Sequence, residues 1–231
     1  MKAKHFLGTF WGNCFGNRRR SFSGAYLDPS VQILGEKSVH IAEGAVIGEN
    51  CWLNVNSCEG ENRTISIGRF TFVGRRAFFT CGSSISVGPY CVLGPDCHFV
   101  GAAHIFSNPF MPYLVTGVTN SGTIRIGANC FLGARSTFLA DCEVGYGSII
   151  GASAVVRGTI PPLSMVVGNP ARIVKSFDSV LGRWVDVGTC SQESKLPSEE
   201  EYIAILATLD WKCRRYSKGA RIAASGSLGS I

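Results

Sequence analysis

A six-residue spacing of large apolar residues runs through most of this chain. The spacing is unbroken from Ile126 to Val156, and three earlier groups of three residues repeat it. The full set is Ile41, Ile47, Leu53; Ile67, Val73, Phe79; Val87, Leu93, Phe99; Ile126, Leu132, Phe138; and Val144, Ile150, Val156. A period of six fits neither the 3.6-residue repeat of a helix nor simple strand alternation. It is typical of a parallel β-helix, in which each hexapeptide supplies one short strand and one corner.

Three hexapeptides make one triangular turn, so these positions predict an all-β prism of about five coils. The insertions between coils all leave from the same corner. The longest adds 21 residues to the regular step between Phe99 and Ile126, which predicts an excursion loop over about 100–125. Long irregular loops on a rigid scaffold often carry function. We therefore look for functional side chains in this loop first.

The chain divides into three predicted parts. Residues 1–30 form an N-terminal cap segment, residues 31–175 form the β-helix domain, and residues 176–231 form a C-terminal extension. Within the extension, Ser198 followed by Glu201 has the pattern of a capping box. An apolar stripe follows it, and together these features predict a helix over about 198–216.

Charge and hydropathy exclude several classes of protein. The net charge is +6, but the basic residues are scattered rather than gathered in a stripe with stacking aromatic residues, so we expect no nucleic-acid partner. The sequence has no stretch of eighteen uninterrupted apolar residues, so we expect no membrane helix. The N-terminus lacks the apolar core of a signal peptide, so we expect a cytoplasmic protein without membrane insertion.

The ten cysteines look structural. Half of them fall four residues after an apolar repeat position, where a small side chain turns inward: Cys51, Cys91, Cys97, Cys130 and Cys142. We expect these five to be buried fillers. No CxxC pair or other ligand spacing occurs, so we expect reduced thiols and no metal site.

Residues 126–175 resemble the hexapeptide-repeat acyltransferase family, whose fold is a left-handed parallel β-helix. The segments that carry the resemblance are 150–156, Ile160-Pro161-Pro162, and the run 167–175, which contains Gly-Asn-Pro-Ala-Arg and a nearby lysine. The loop segment 104–110 is most similar to that of polysaccharide O-acetyltransferases and xenobiotic or antibiotic acetyltransferases. The resemblance implies a left-handed coil, a homotrimer, and acetyl-CoA bound between neighbouring prisms.

The resemblance also implies roles for particular residues. His104, at the start of the excursion loop, would be the catalytic general base, and backbone amides near Gly133 and Ala134 would bind the thioester oxygen. Antibiotic-modifying relatives carry Asn just before the histidine, whereas this chain has Ala103. Contacts to CoA are expected from Ala152, Ser153, Arg157, Asn169, Arg172 and Lys175. Candidates for the acceptor pocket are His98, Phe110 and Tyr113.

One histidine is sufficient for the implied chemistry. A sugar hydroxyl is a poor nucleophile at neutral pH, and a neutral imidazole can remove its proton as it attacks the thioester carbonyl. Fixed backbone N–H groups can stabilise the resulting oxyanion without reorganisation. The leading hypothesis is therefore acetyl-CoA-dependent O-acetylation of a saccharide in surface polysaccharide or glycoconjugate synthesis, by direct transfer.

Other hypotheses stay open at this point. The same scaffold could N-acetylate an amino sugar or O-acetylate an antibiotic. A hypothesis from another class is a non-catalytic β-helix assembly module, which the loop histidine and the segment 167–175 argue against. A γ-class carbonic anhydrase would need three histidines converging on one metal. His98 and His104 have no suitably placed third histidine upstream.

Overall fold

The computed structural model describes residues 22, 24–55, 62–119, 122–191, 195–210 and 212–214. Residues 1–21 and 23 of the expected N-terminal cap, and the predicted helix residues 215 and 216, lie outside this part. Most of the described elements are strands of two to four residues, separated by tight corners. No helix among the described residues is long and apolar enough to cross a membrane.

Nineteen strands and one α-helix are assigned within the described residues. The strands are β1 (Tyr26–Leu27), β2 (Gln32–Leu34), β3 (Val39–Ile41), β4 (Val46–Ile47), β5 (Trp52–Asn54), β6 (Thr64–Ile67), β7 (Phe72–Val73), β8 (Phe78–Thr80), β9 (Ser84–Val87), β10 (Val92–Leu93), β11 (His98–Val100), β12 (Thr123–Ile126), β13 (Phe131–Leu132), β14 (Thr137–Val144), β15 (Ile149–Ile150), β16 (Val155–Ile160), β17 (Ser164–Val167), β18 (Arg172–Asp178) and β19 (Arg183–Asp186). The helix is α1 (Glu199–Ala207), and two 3₁₀ turns cover Glu36–Ser38 and Tyr113–Val115.

Parallel pairing arranges these strands in three columns, which form the sides of a prism. Column one contains β3, β6, β9, β12 and the second halves of β14 and β16. Column two runs from β1 through β4, β7, β10, β13 and β15 to β17. Column three contains β2, β5, β8, β11 and the first halves of β14 and β16. We call the outer surfaces of these columns face 1, face 2 and face 3.

The six-residue repeat positions fill the axis of the prism. All fifteen are buried, and the most exposed of them, Ile41, is only 7% accessible. Three of the side chains stack ring on ring: the centroids of Phe79 and Phe99 are 4.4 Å apart, and those of Phe99 and Phe138 are 4.9 Å apart. The axis is therefore a continuous apolar core, as the spacing predicts.

The repeat begins earlier than the sequence analysis recognised. Leu27 and Ile33 stand six residues apart and pair with the repeat positions Ile47 and Leu53. Both residues are half-buried and pack against the core. Strand β1 thus lies within the stretch assigned to the N-terminal cap.

The five cysteines predicted as inward fillers are all buried and reduced. Several of their thiols donate hydrogen bonds to carbonyl oxygens of the next coil. The distances from sulfur to oxygen are 3.2 Å for Cys51 to Gly74 and 3.2 Å for Cys91 to Gly127. These residues fill the insides of the corners and link successive coils.

The turn from column two to column three, which we call corner 2/3, is closely stacked between coils. A Cβ placed on Gly94 would lie 2.6 Å from the amide nitrogen of Ala134. A Cβ on Gly133 would lie 2.5 Å from the amide nitrogen of Ala152. Glycine is therefore required here for backbone approach, and one corner of each coil sits directly on the next.

Helix α1 begins as the sequence predicts but ends earlier than the predicted residue 216. Ser198 and Glu201 form the complete capping box. The amides of Thr208 and Leu209 bond to carbonyls three residues back rather than four, which tightens and ends the helix after Ala207. Residues 210 and 212–214 are helical again.

The helix packs against the prism of its own chain, at the turn between columns one and two. The Glu199 carboxylate accepts a hydrogen bond of 2.8 Å from the Ala128 amide and pairs with Arg125. The ring of Tyr202 lies 4.6 Å from the ring of Tyr146. Apolar and ionic contacts together fix the helix to this corner.

Candidate functional site

The longest excursion from the prism lies between Val100 at the end of β11 and Thr123 at the start of β12. The outgoing and returning segments of this excursion pair at its base through an antiparallel bridge between His104 and Val118. The Thr119 amide donates to the Ala103 carbonyl at 2.7 Å, and the Ala103 amide donates to Thr119 Oγ1 at 3.0 Å. These bonds make the excursion a braced arm rather than a loose loop.

The tip of this arm is apolar and exposed. Phe110 is 95% accessible, Leu114 is 87% accessible and Phe106 is 73% accessible. Tyr113 opens the 3₁₀ turn at the tip and is also exposed. Large apolar side chains gathered on one projecting element are typical of a surface that contacts a ligand or another protein.

The braced base holds His104 in an exposed position. Its backbone belongs to the bridge, while its imidazole makes no hydrogen bond to another described residue. The ring is thus carried on a fixed backbone and is open to solvent, as a general base that acts on a bound substrate requires.

Gly133 and Ala134 lie at corner 2/3. The Gly133 amide donates to the Ile150 carbonyl at 2.7 Å, and the Ala134 carbonyl accepts from the Ser153 amide at 2.9 Å. The Ala134 N–H donates to no other described residue. Because this amide belongs to a rigid, stacked coil, it is suited to bind a carbonyl oxygen at little cost in reorganisation.

Within one chain, the histidine and this amide lie at different corners. The arm with His104 leaves the prism between columns three and one, whereas Ala134 lies between columns two and three. Face 3 separates the two positions.

Most of the expected CoA contacts gather near one end of corner 2/3. Ala152 and Ser153 are exposed one coil beyond Ala134. The segment that contains Asn169 lies beside them, because the Gly168 carbonyl accepts a 3.0 Å hydrogen bond from the Val155 amide.

The three predicted basic contacts differ in their surroundings. Arg157 and Arg172 are exposed, and Arg172 Nη1 donates to the Ala171 carbonyl at 2.8 Å. Lys175 instead lies 3.9 Å from a carboxylate oxygen of Asp186. Of these three basic side chains, Arg157 and Arg172 therefore have no carboxylate within ion-pair distance among the described residues.

The acceptor candidates lie on face 3 and on the arm. His98 points outward from β11. Its ring centroid lies 6.2 Å from that of Phe78, with the two rings nearly perpendicular at 77°. Phe110 and Tyr113 are at the arm tip. Trp52, which was not among the predicted candidates, extends the row of rings along face 3. Its ring centroid lies 5.3 Å from that of Phe78.

A basic cluster at corner 2/3 was also missed. Arg76 and Arg135 occupy the same left-handed corner position in their coils, with φ of 58° and 61°. Arg76 forms a forked pair with Asp96 at 2.7 and 2.8 Å, and this contact lowers the pKa of the carboxyl. Recognition of the corner position in each hexapeptide would have found these residues.

No group of three histidine, cysteine, aspartate or glutamate side chains that could hold a metal ion occurs among the described residues.

Comparison with known proteins identifies the repeat. Residues 123–158 match the family model described as bacterial transferase hexapeptide (six repeats). A Staphylococcus aureus (strain COL) protein with the provisional name of acetyltransferase is 33% identical over 117 residues, which are 51% of this chain and 57% of that protein. The Escherichia coli K12 protein WbbJ, provisionally named a lipopolysaccharide biosynthesis O-acetyl transferase, is 27% identical over 135 residues, 58% of this chain and 60% of that protein. The chain thus spans less than two thirds of these relatives.

Solved structures share the fold. The N-acyltransferase AntD from Bacillus cereus, in complex with dTDP and 3-hydroxybutyryl-CoA, superposes with a TM-score of 0.58 at 16% identity, covering 81% of this chain and 89% of that one. A galactoside acetyltransferase in complex with coenzyme A gives a TM-score of 0.54 at 19% identity, covering 70% and 73%.

Proposed function

We propose that this chain, a member of the hexapeptide-repeat transferase family, transfers an acetyl group from acetyl-CoA to a hydroxyl of a saccharide. The observation that carries the proposal is the exposed imidazole of His104 on the braced base of the arm. The acetyltransferase names of the relatives at 27–33% identity support the reaction class.

His104 is assigned the role of general base. The imidazole takes the proton of the acceptor hydroxyl as its oxygen attacks the thioester carbon. A tetrahedral intermediate forms, and the amide of Ala134 at corner 2/3 donates to its oxyanion. Collapse of this intermediate breaks the carbon–sulfur bond, and the proton passes to the CoA thiolate. The acetyl ester and free CoA leave without a covalent enzyme intermediate.

In the proposal, each protomer is a left-handed prism of about five coils. Three protomers form a homotrimer, which completes this site. His104 and Ala134 lie at different corners of one chain, so the arm of one protomer must reach corner 2/3 of its neighbour. The exposed apolar tip of the arm, with Phe110 and Tyr113, gives that contact a hydrophobic surface. Tyr113 and Phe110 would then lie close to the acceptor, together with His98.

The CoA would lie along corner 2/3. Ala134 and Ala152 have small side chains, which allow the pantetheine arm to approach the backbone. Arg172 would bind its phosphates from this corner, and Arg157, which lies at the turn between columns three and one, would do so from the neighbouring protomer. Ser153, Asn169 and Lys175 complete the expected contacts. We place the protein in a reducing, cytoplasmic compartment, which suits the six buried free thiols among the described residues.

The test is release of free CoA from acetyl-CoA in the presence of sugars, nucleotide sugars, oligosaccharides and chloramphenicol. His104→Ala should lower kcat about 10²–10⁴-fold, since this is the usual value of general-base catalysis. His104→Asn, which keeps a similar size and hydrogen-bonding capacity, should be equally impaired.

Binding of acetyl-CoA is the control, and both variants should retain it. Full activity in either variant would refute the assignment of the base. Preferred transfer to an amino sugar would establish N-acetylation in place of O-acetylation. Failure to bind acetyl-CoA at all would favour a non-catalytic assembly module.

A further inference from the structure

A groove of about 730 Å³ runs across face 1, away from the catalytic candidates. Its floor is a row of outward side chains from four neighbouring strands, placed in register by the parallel pairing. The row reads His40, Ser66, Ser86 and Arg125. Since neighbouring strands lie about 4.8 Å apart, the row is roughly 14 Å long.

The floor offers hydrogen-bonding groups that the described side chains leave unused. The hydroxyls of Ser66 and Ser86 and the imidazole of His40 bond to no other side chain within the described residues. Arg125 gives one N–H to Glu143 and one to Glu199, and the other guanidinium N–H groups stay available. A ligand lying along the row would meet donors and acceptors at the spacing of the strands.

The walls of the groove are apolar except for the carboxylate of Glu199. Phe22 and Pro89 line it, together with Ala42 and the corner glycines Gly68 and Gly88. A hydroxyl-rich floor beside an aromatic ring suits a sugar, which presents hydroxyl groups at its edges and C–H groups on its faces. The floor is the face of a sheet rather than a free edge, so it gives an extended peptide no backbone ladder to join.

The charges that face the groove favour a saccharide without acidic groups. Arg125 is opposed by two carboxylates, those of Glu143 and Glu199. The guanidinium and the two carboxylates together carry one net negative charge, and Glu199 itself lines the groove. The groove therefore offers a phosphate or a polyanion no uncompensated arginine charge.

We propose that the face 1 groove binds a neutral oligosaccharide chain, so that the acceptor of this protein is longer than one sugar ring. The inference rests on the proposed function for the role of the bound chain as acceptor. Strand β12 connects the two features, because its first residue, Thr123, receives the returning arm and Arg125 lines the groove. The groove lies toward the turn between columns one and two, so a bound chain would have to extend across face 1 to reach the arm with His104.

The test is isothermal titration calorimetry of the whole chain with four neutral probes: maltotriose, cellotriose, N-acetylchitotriose and the monosaccharide N-acetylglucosamine. We expect at least one trisaccharide to bind at least tenfold more tightly than the monosaccharide. Ser86→Trp, which fills the middle of the groove, should weaken that binding at least tenfold. Ser84→Trp is the matched control, because Ser84 lies on the same strand, is equally half-buried, and does not line the groove.

Each result has a definite meaning. If no trisaccharide binds, or if Ser86→Trp binds as tightly as Ser84→Trp, the groove proposal is wrong. Binding of acetyl-CoA is measured on the same samples, and it should be equal in all of them. Loss of trisaccharide binding with intact acetyl-CoA binding separates failure of the groove from failure of the transferase proposal. Trisaccharide binding without acetyl-CoA binding would overturn the role as acceptor and leave a carbohydrate-binding module.

Discussion

Truncation of Phe99 tests whether the aromatic stack at the axis holds the prism together. Phe99 is fully buried between Phe79 and Phe138, with centroid distances of 4.4 and 4.9 Å and interplanar angles of 2° and 14°. Phenylalanine-to-alanine changes in a core cost about 3–5 kcal/mol. Loss of two aromatic pairs, each worth about 0.5–1.5 kcal/mol, moves the estimate for Phe99→Ala to the upper end of that range. We expect a loss of about 4–5 kcal/mol.

The assay is urea denaturation followed by circular dichroism, with every variant at one protein concentration, since assembly would couple stability to concentration. Val180→Ala is the control. Val180 is 56% accessible and lies away from the arm, so its truncation should change the free energy of unfolding by no more than about 0.5 kcal/mol. A loss of less than about 1 kcal/mol for Phe99→Ala, or an equal loss for Val180→Ala, would refute the view that the axial stack stabilises the fold.

Two further predictions concern ionisable groups. Four hydrogen bonds, from the amides of Val180 and Leu181 and from the amide and hydroxyl of Ser191, lower the pKa of Asp178 to about 2, the Ser191 hydroxyl being the largest contributor. Because this folded-state pKa lies below the ordinary value of 3.8, the carboxylate stabilises the β18–β19 region above about pH 4, and this contribution is lost as the pH falls through about 2. The protection factor of the Trp184 amide, which is corrected for the intrinsic pH dependence of exchange, should therefore fall over that range in the wild type but not in Asp178→Asn, and an equal fall in both would contradict the assignment. Burial raises the pKa of the Cys51 thiol to about 11 and that of Cys142 to about 12. Neither thiol should therefore be alkylated at pH 8 before unfolding, whereas the exposed Cys190 should react at once. Mass spectrometric mapping of iodoacetamide adducts checks this, and early labelling of Cys51 would show that the core opens.

The sequence predicts the core better than it predicts the surface. A hexapeptide period identifies Phe99 and Phe138 as axial residues because inward position depends only on local spacing. The match of Ser86 with Arg125 follows from the same spacing, because these residues directly precede the axial residues Val87 and Ile126. The groove on face 1 does not follow from the spacing, because Phe22 and Glu199 reach it from segments outside the repeat.

The same distinction applies to the candidate site. Motif resemblance pointed to His104 and Ala134, whose roles stay predictions; His104 is exposed, and Ala134 is half-buried on a stacked coil. Their placement at different corners follows from the order of the columns, which the list of motif residues does not contain. The end of α1 was mispredicted because hydrogen bonds to carbonyls three residues back close the last turn at Thr208, and the apolar stripe continues past that point.

The antiparallel strand β18 has a consequence for the solution behaviour of the molecule. A stack of identical parallel coils ends in a row of unsatisfied backbone groups, and such an edge invites another molecule to add its own strands. In column two, β18 pairs with β17 in the opposite direction, and β19 then pairs with β18. Residues 172–186 thus terminate the parallel stack of that column. At this edge, the reversed hairpin protects a repetitive β-protein from growing end to end into filaments.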